Sequence, residues 1–214
     1  SGSMLQRMDG KRRYQIARET LIDLVDQQLP DSVQFALRVF GHEEPGSCRT
    51  DLVMPPAPLD RSQVKQTLAA IVPKNLAKTP IADSLKAAAA DLSGLDGEKI
   101  VLLITDGEET CEGDAEAAIS ALVDSGLGAV VNIVGFAVED PELTETFTRW
   151  AKVGGGVYRQ ARDRAALADS VQALSARTFE VVDDQGVVQG TGRSDGERVA
   201  LKPGSYRLKF SGGT

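Results

Sequence analysis

Lys99-Ile100-Val101-Leu102-Leu103-Ile104-Thr105-Asp106-Gly107 is the stretch that decides how this chain is read. Its consecutive apolar residues, mostly β-branched or Leu, predict a strand buried on both faces of a parallel sheet. The run stops abruptly at a carboxylate and a glycine. Ligands of open α/β sheets bind outside the carboxyl ends of the strands, so Asp106 stands where chemistry is usually placed. Many sheet proteins share that arrangement, and the choice among functions comes from what surrounds it.

Outward from this strand, helical and extended patterns alternate. Toward the N-terminus, Tyr14, Ala17, Leu21, Leu24 and Val25 fall at helical spacing within residues 12–29, with Pro30 just beyond. Residues 33–40 alternate as a strand, and 41–50 form a polar loop. Residues 51–54 read as a short edge strand stopped by Pro55, Pro56 and Pro58, and helices are predicted over 60–71 and 80–92. Toward the C-terminus come a helix over 114–125, a strand over 130–136 and a helix from Pro141 to Trp150. A short strand over 157–160 and a helix over 163–177 follow. The fold class is therefore α/β, a doubly wound, mostly parallel sheet flanked by helices. At residue 178 the character changes. Phe179-Glu180-Val181-Val182, the turn Asp183-Asp184-Gln185-Gly186, Val187-Val188 and Tyr206-Arg207-Leu208-Lys209-Phe210 read as strands without helices. A β module over 179–214 is short for an independent core, which predicts that it is incomplete or docked.

Composition narrows the function classes. The 214 residues carry a net charge of −7, with 42% hydrophobic and 26% charged residues, ordinary for a globular protein. The densest basic run, Lys11-Arg12-Arg13, opens a predicted helix and reads as a solvated face, so nucleic acid is not an expected partner. No stretch approaches the ~20 apolar residues that cross a bilayer. Cys48 and Cys111 are the only cysteines, too few for a zinc cage and not in a C-x-x-C pair; one disulfide or two inert thiols are both open.

Three features stand in order along the chain: Ser1-Gly2-Ser3-Met4, Thr79-Pro80 opening a helix, and Thr105-Asp106-Gly107 closing a strand. With them the chain resembles the von Willebrand factor type A family over residues 1–178. The metal-ion-dependent adhesion site of that family reads D-x-S-x-S, then a Thr on a second loop, then an Asp after a later strand. Asp9-Gly10-Lys11 before the first helix and Gly154-Gly155-Gly156-Val157-Tyr158 before the last strand add to the resemblance. It implies that Ser1, Ser3, Thr79 and Asp106 are metal ligands. The implied cation is Mg²⁺, with Mn²⁺ or Ca²⁺ as substitutes, and hard cations of this kind take oxygen ligands. It further implies a binding rather than catalytic site, whose open coordination position is filled by an acidic side chain of a protein partner. Ordinary readings stand beside these: Thr79-Pro80 as a capped helix start, Glu108 and Glu109 as a solvated loop, and His42, the only histidine, as a surface residue.

The family pattern places an Asp two positions before Ser1, behind a central first strand, and neither lies within this sequence. With one carboxylate, the cation should be weakly held. The strands near 33–40 and 99–105 are expected to flank a gap one strand wide, with edges open to pairing. The resemblance extends to bacterial extracytoplasmic members through Gly107-Glu108-Glu109-Thr110-Cys111 and Gly41-His42. It implies a Cys48–Cys111 disulfide beside the metal site and a periplasmic or secreted location, with two reduced thiols as the alternative. Glu116 and Arg149 stand where such relatives carry a second cysteine pair; the two can form an ion pair there, worth under ~1 kcal/mol as an exposed contact. A metal-independent envelope scaffold is an alternative function. A hydrolase using Asp106 is weaker, because no D-x-D, G-x-S-x-G or Gly-rich phosphate loop occurs. The chain is therefore not expected to be an enzyme.

Overall fold

In the computed structural model, which describes residues 2–176, 178–193 and 199–210, the chain enters through a 3₁₀ turn at Gly2–Leu5. A small antiparallel hairpin follows, β1 (Arg7–Met8) with β2 (Lys11–Arg12). Asp9 and Gly10 turn it with φ of 51° and 79°, the left-handed conformation that two-residue hairpin loops require and that Asp-Gly tolerates. The sequence reading missed this hairpin, because two-residue strands leave no periodicity.

Helix α1 (Arg13–Gln27) leads to strands β3 (Gln34–Phe40) and β4 (Thr50–Pro58), which pair antiparallel. Strand β4 continues past the expected stop at residue 54, through three prolines. It pairs with β3 alone in this two-stranded sheet, so its outer edge needs no N–H donors and proline is tolerated there. Helices α2 (Arg61–Ala70) and α3 (Ile81–Asp91) precede β5 (Lys99–Thr105). Then come α4 (Ala115–Asp124), β6 (Ala129–Phe136), α5 (Pro141–Val153), β7 (Gly155–Ala161) and α6 (Arg164–Ser175). Asp60, Asp114, Asp140 and Asp163 each cap a helix through the side chain, satisfying N–H groups that a helix start leaves open.

Strands β5, β6 and β7 pair parallel in that order. Helices cover both faces: Leu85, Ile119, Phe147 and Trp150 pack on one, and Ile16, Leu24, Leu167 and Val171 on the other. At the β6–β7 crossing the backbones meet closely. A Cβ on Gly156 would sit 2.3 Å from the Val131 carbonyl oxygen, so this position admits only glycine. After α6 come β8 (Thr178–Asp183), β9 (Val188–Arg193) and β10 (Tyr206–Phe210), an antiparallel sheet with β8 in the centre.

Strand β3 is not hydrogen-bonded to β5. The two face one another across a cleft of about 2300 Å³, lined by Phe35, Leu37 and Val39 from β3 and Leu102 and Ile104 from β5. Asp106 lies on this lining as well, and Phe179 and Leu208 reach it from the C-terminal strands. The sequence reading of β5 as buried on both faces is corrected accordingly: Leu103 and Thr105 are buried, whereas Leu102 and Ile104 are only partly so.

Candidate functional site

The carboxyl end of β5 delivers Asp106 into a position where its side chain is 0% exposed. Its two oxygens have different partners. Oδ1 accepts a hydrogen bond from Ser3 Oγ at 2.8 Å, and Oδ2 accepts one from Arg13 at 3.3 Å. Ser3 is brought there by the 3₁₀ turn, which the Gly2 N–H anchors to the Ala77 carbonyl at 3.2 Å. The same contact pins the loop that carries Thr79. Thr79 is 3% exposed, and it lines, with Ser3, Asp106 and Gly107, a second cavity of about 520 Å³. Lys78, Glu108 and Asp140 also stand on this lining. Three of the predicted ligands, Ser3, Thr79 and Asp106, are thus together; Ser1 lies outside the described residues.

Thr79 is not a helix cap, and that ordinary reading is corrected. Pro80 occupies the N-cap position of α3 and provides no side-chain cap. Glu109 takes the role instead: Oε2 accepts from the Ala82 N–H at 2.7 Å and Oε1 from the Cys111 N–H at 2.6 Å. The expectation of a solvated Glu109 is therefore also corrected. The Thr79 N–H donates to Thr110 Oγ1 at 2.7 Å, and the Thr110 N–H returns to the Thr79 carbonyl at 3.2 Å. The loop after β5 and the loop before α3 are consequently tied at both backbone and side chain.

A disulfide joins Cys48 to Cys111 across 63 residues, bringing the 41–49 loop to this assembly. His42 in that loop is not on the surface as expected; its side chain is 9% exposed, 3.3 Å from Glu43, with Nδ1 buried and without a hydrogen-bond partner. Glu116 and Arg149 form an ion pair, at 2.8 Å.

Sequence reasoning missed Arg13, Glu109 and Thr110. Arg13 had a signal: it lies three and four positions before Ile16 and Ala17, on the face of α1 that is buried. The solvated reading of Lys11-Arg12-Arg13 holds for the first two, which are exposed, and fails for Arg13. Glu109 had none, because the Ala82 N–H that it caps lies 27 residues away in sequence.

In kind, the donor set fits a hard divalent cation: two hydroxyls and a carboxylate, all oxygen, on separate loops around one cavity. In charge it is poor. Among the described residues no group of three or more His, Cys, Asp or Glu side chains is placed to hold a metal. The fit is to a weakly held ion with coordination positions left for others.

Residues 1–109 match the von Willebrand factor type A domain as a sequence family. The uncharacterized protein YwmD of Bacillus subtilis (strain 168) is 35% identical over 171 residues, which cover 75% of each chain. An aerotolerance-related membrane protein from Bacteroides fragilis, solved with multiple mutations to serines, superimposes with a TM-score of 0.61 at 25% identity, covering 81% of this chain and 94% of that one. Proximal thread matrix protein 1 from the mussel byssus, solved with zinc in its metal-ion-dependent adhesion site motif, shares the fold. Its TM-score is 0.59 at 19% identity, over 75% of this chain and 40% of that one.

Proposed function

The chain belongs to the von Willebrand factor type A domain family, and from that premise we propose that it is a binding module whose divalent cation docks an acidic side chain of a protein partner. The observation that carries the reading is the convergence of Ser3, Thr79 and Asp106 on one cavity at the carboxyl edge of the sheet. Ser3 and Thr79 would offer hydroxyls and Asp106 a carboxylate, with Ser1 as a further hydroxyl in the family pattern. Mg²⁺ is the cation proposed, and the zinc in the mussel protein supports a divalent ion in this family. Such an ion supplies positive charge with an incomplete oxygen shell, which an external carboxylate completes.

The surrounding residues hold this edge still. Glu109, Thr110 and the Cys48–Cys111 disulfide clamp the loops, so the donors are placed before any ion arrives. In this reading Asp106 is a ligand and not a nucleophile, and the chain performs no catalytic step. A disulfide persists in oxidising compartments, and among the described residues no helix is long and apolar enough to cross a membrane. We place the module outside the cytoplasm, periplasmic or secreted.

The test is retention on a resin bearing Glu-rich peptides with Mg²⁺, with chelator, and after Asp106→Ala. Retention that needs Mg²⁺ and is lost in a folded Asp106→Ala variant is expected. Equal retention in all arms would replace this reading with that of a metal-independent scaffold. Turnover of an ester or phosphate substrate that Asp106→Ala abolishes would replace it with a hydrolase.

A further inference from the structure

We propose that Arg13 is the built-in countercharge of Asp106, setting how tightly the site holds its cation and how much positive charge remains for the partner. The inference rests on the metal-dependent reading above and assigns a role to a residue outside the ligand pattern. Arg13 is the first residue of α1, and its N–H is fixed on the Gln6 carbonyl at 2.9 Å. Its side chain is 16% exposed and reaches Asp106 Oδ2 at 3.3 Å. Lys11 and Arg12 beside it are exposed, and Lys11 pairs with Glu19 at 2.7 Å. Arg13 alone of the three turns inward.

A carboxylate withdrawn from water requires a compensating charge, and an uncompensated one is strongly destabilising. Without a metal, Arg13 supplies that compensation. The pairing is not ideal: it is long, and Arg13 Nε is buried without a hydrogen-bond partner. The guanidinium is therefore held by charge more than by a bidentate fit of the kind that makes Arg–carboxylate pairs strong. The cavity lining includes Ser3, Thr79 and Asp106 but not Arg13. In this proposal the cation approaches from the cavity with Arg13 still in place.

The electrostatic consequence has a definite sign. Asp106 and Arg13 together carry no net charge, so an entering divalent ion gains less attraction than from a bare carboxylate and is repelled by the guanidinium. The ion is held more weakly, and its charge is less neutralised from within. An external carboxylate then meets more of the positive field. Arg13 is a positioning and charge-setting residue, not a ligand.

A merely structural Arg13 would, when replaced, misplace Asp106 and weaken metal binding; a countercharge, when removed, strengthens it. The experiment compares wild type, Arg13→Gln, Arg13→Lys, Asp106→Asn and the Arg13→Gln/Asp106→Asn double variant. Each is melted in chelator and titrated calorimetrically with Mn²⁺ alone. In chelator, Arg13→Gln should melt on the order of 5–10 °C lower, and most of that loss should vanish when Asp106→Asn removes the stranded charge. Arg13→Gln should bind Mn²⁺ about ten-fold more tightly, and Arg13→Lys should stay near wild type. Mn²⁺ binding by Arg13→Gln that is equal to or weaker than wild type would overturn the proposal, as would a melting loss that Asp106→Asn leaves unchanged. If neither wild type nor Arg13→Gln takes up Mn²⁺, the metal-dependent reading fails and the cation role with it. The melting cycle, which contains no metal, then separately decides whether Arg13 compensates Asp106.

Discussion

Strands β5 and β6 lie side by side in parallel register, Leu103 opposite Ile133 and Ile104 opposite Val134, and are built from the same kinds of residue. Yet Val131, Ile133, Val134 and Phe136 of β6 are each 0% exposed, while β5 buries only Leu103 and Thr105 fully. The difference comes from their neighbours. Strand β6 is hydrogen-bonded on both edges, to β5 and β7, whereas the other edge of β5 borders the cleft that separates it from β3. An apolar run states that a strand wants burial; only its place in the sheet decides how much it receives. The candidate site grows from the less buried strand, since Asp106 follows directly on β5.

The largest expected effect sharpens this contrast. Ile133→Ala should destabilise by roughly 3–5 kcal/mol, the cost of a cavity in a site with packing on every side. Leu102→Ala, on the cleft, should cost under about 1.5 kcal/mol, because its apolar surface is already partly in water. Urea unfolding of both variants measures this, and equal losses would mean that β5 is packed as fully as β6. Next in size, Cys48→Ser with Cys111→Ser should cost about 2–4 kcal/mol by freeing a loop of 63 residues. Its effect should fall on the loop side of the site, seen as faster amide exchange over 41–49 and 107–113, with β6 unchanged.

A smaller effect concerns the C-terminal strands. Asp183 accepts an N–H bond from Val187, a side-chain bond from Gln189 and an N–H bond from Gln185, and these hold its carboxyl below the ordinary carboxylate value. A carboxyl lowered in the folded state adds stability above its unfolded value and loses it as pH falls through the folded one. Acidification through and below the usual carboxylate range should therefore loosen the β8–β9 turn, and Asp183→Asn should remove that pH dependence in amide exchange of residues 185–187. Smallest of all, Arg149→Ala should leave the melting temperature essentially unchanged, since the Glu116–Arg149 pair is solvent-exposed on both sides.

Much of this architecture was legible before any coordinates. Residues 99–105 form β5 to the residue, and the helices around it lie within a few positions of their periodic patterns. The reason is physical: long amphipathic helices and buried strands write their burial into local spacing. What escaped has no local signature. The β1–β2 hairpin is too short for periodicity, β4 runs through prolines because an edge strand needs no outward donors, and the His42 side chain is buried by a loop fold no pattern announces. At the site, Ser3, Thr79 and Asp106 were legible from motif order. Glu109 and Thr110, which fix the loops through partners some thirty residues away in sequence, were not. Arg13 was readable in principle from the phase of α1 and was obscured by the two exposed cations before it.

In the proposed function, oxygens of Ser3, Thr79 and Asp106 share one divalent cation. Crystals soaked in Mn²⁺ and measured for anomalous scattering test it most directly. A single strong peak at coordination distance from the Ser3 and Thr79 hydroxyls, reaching Asp106 directly or through one water, and lost in Asp106→Asn crystals, is the predicted result. Manganese bound only at the carboxylates Glu108 and Asp140, or equally present after Asp106→Asn, would rule out a cation shared by Ser3, Thr79 and Asp106.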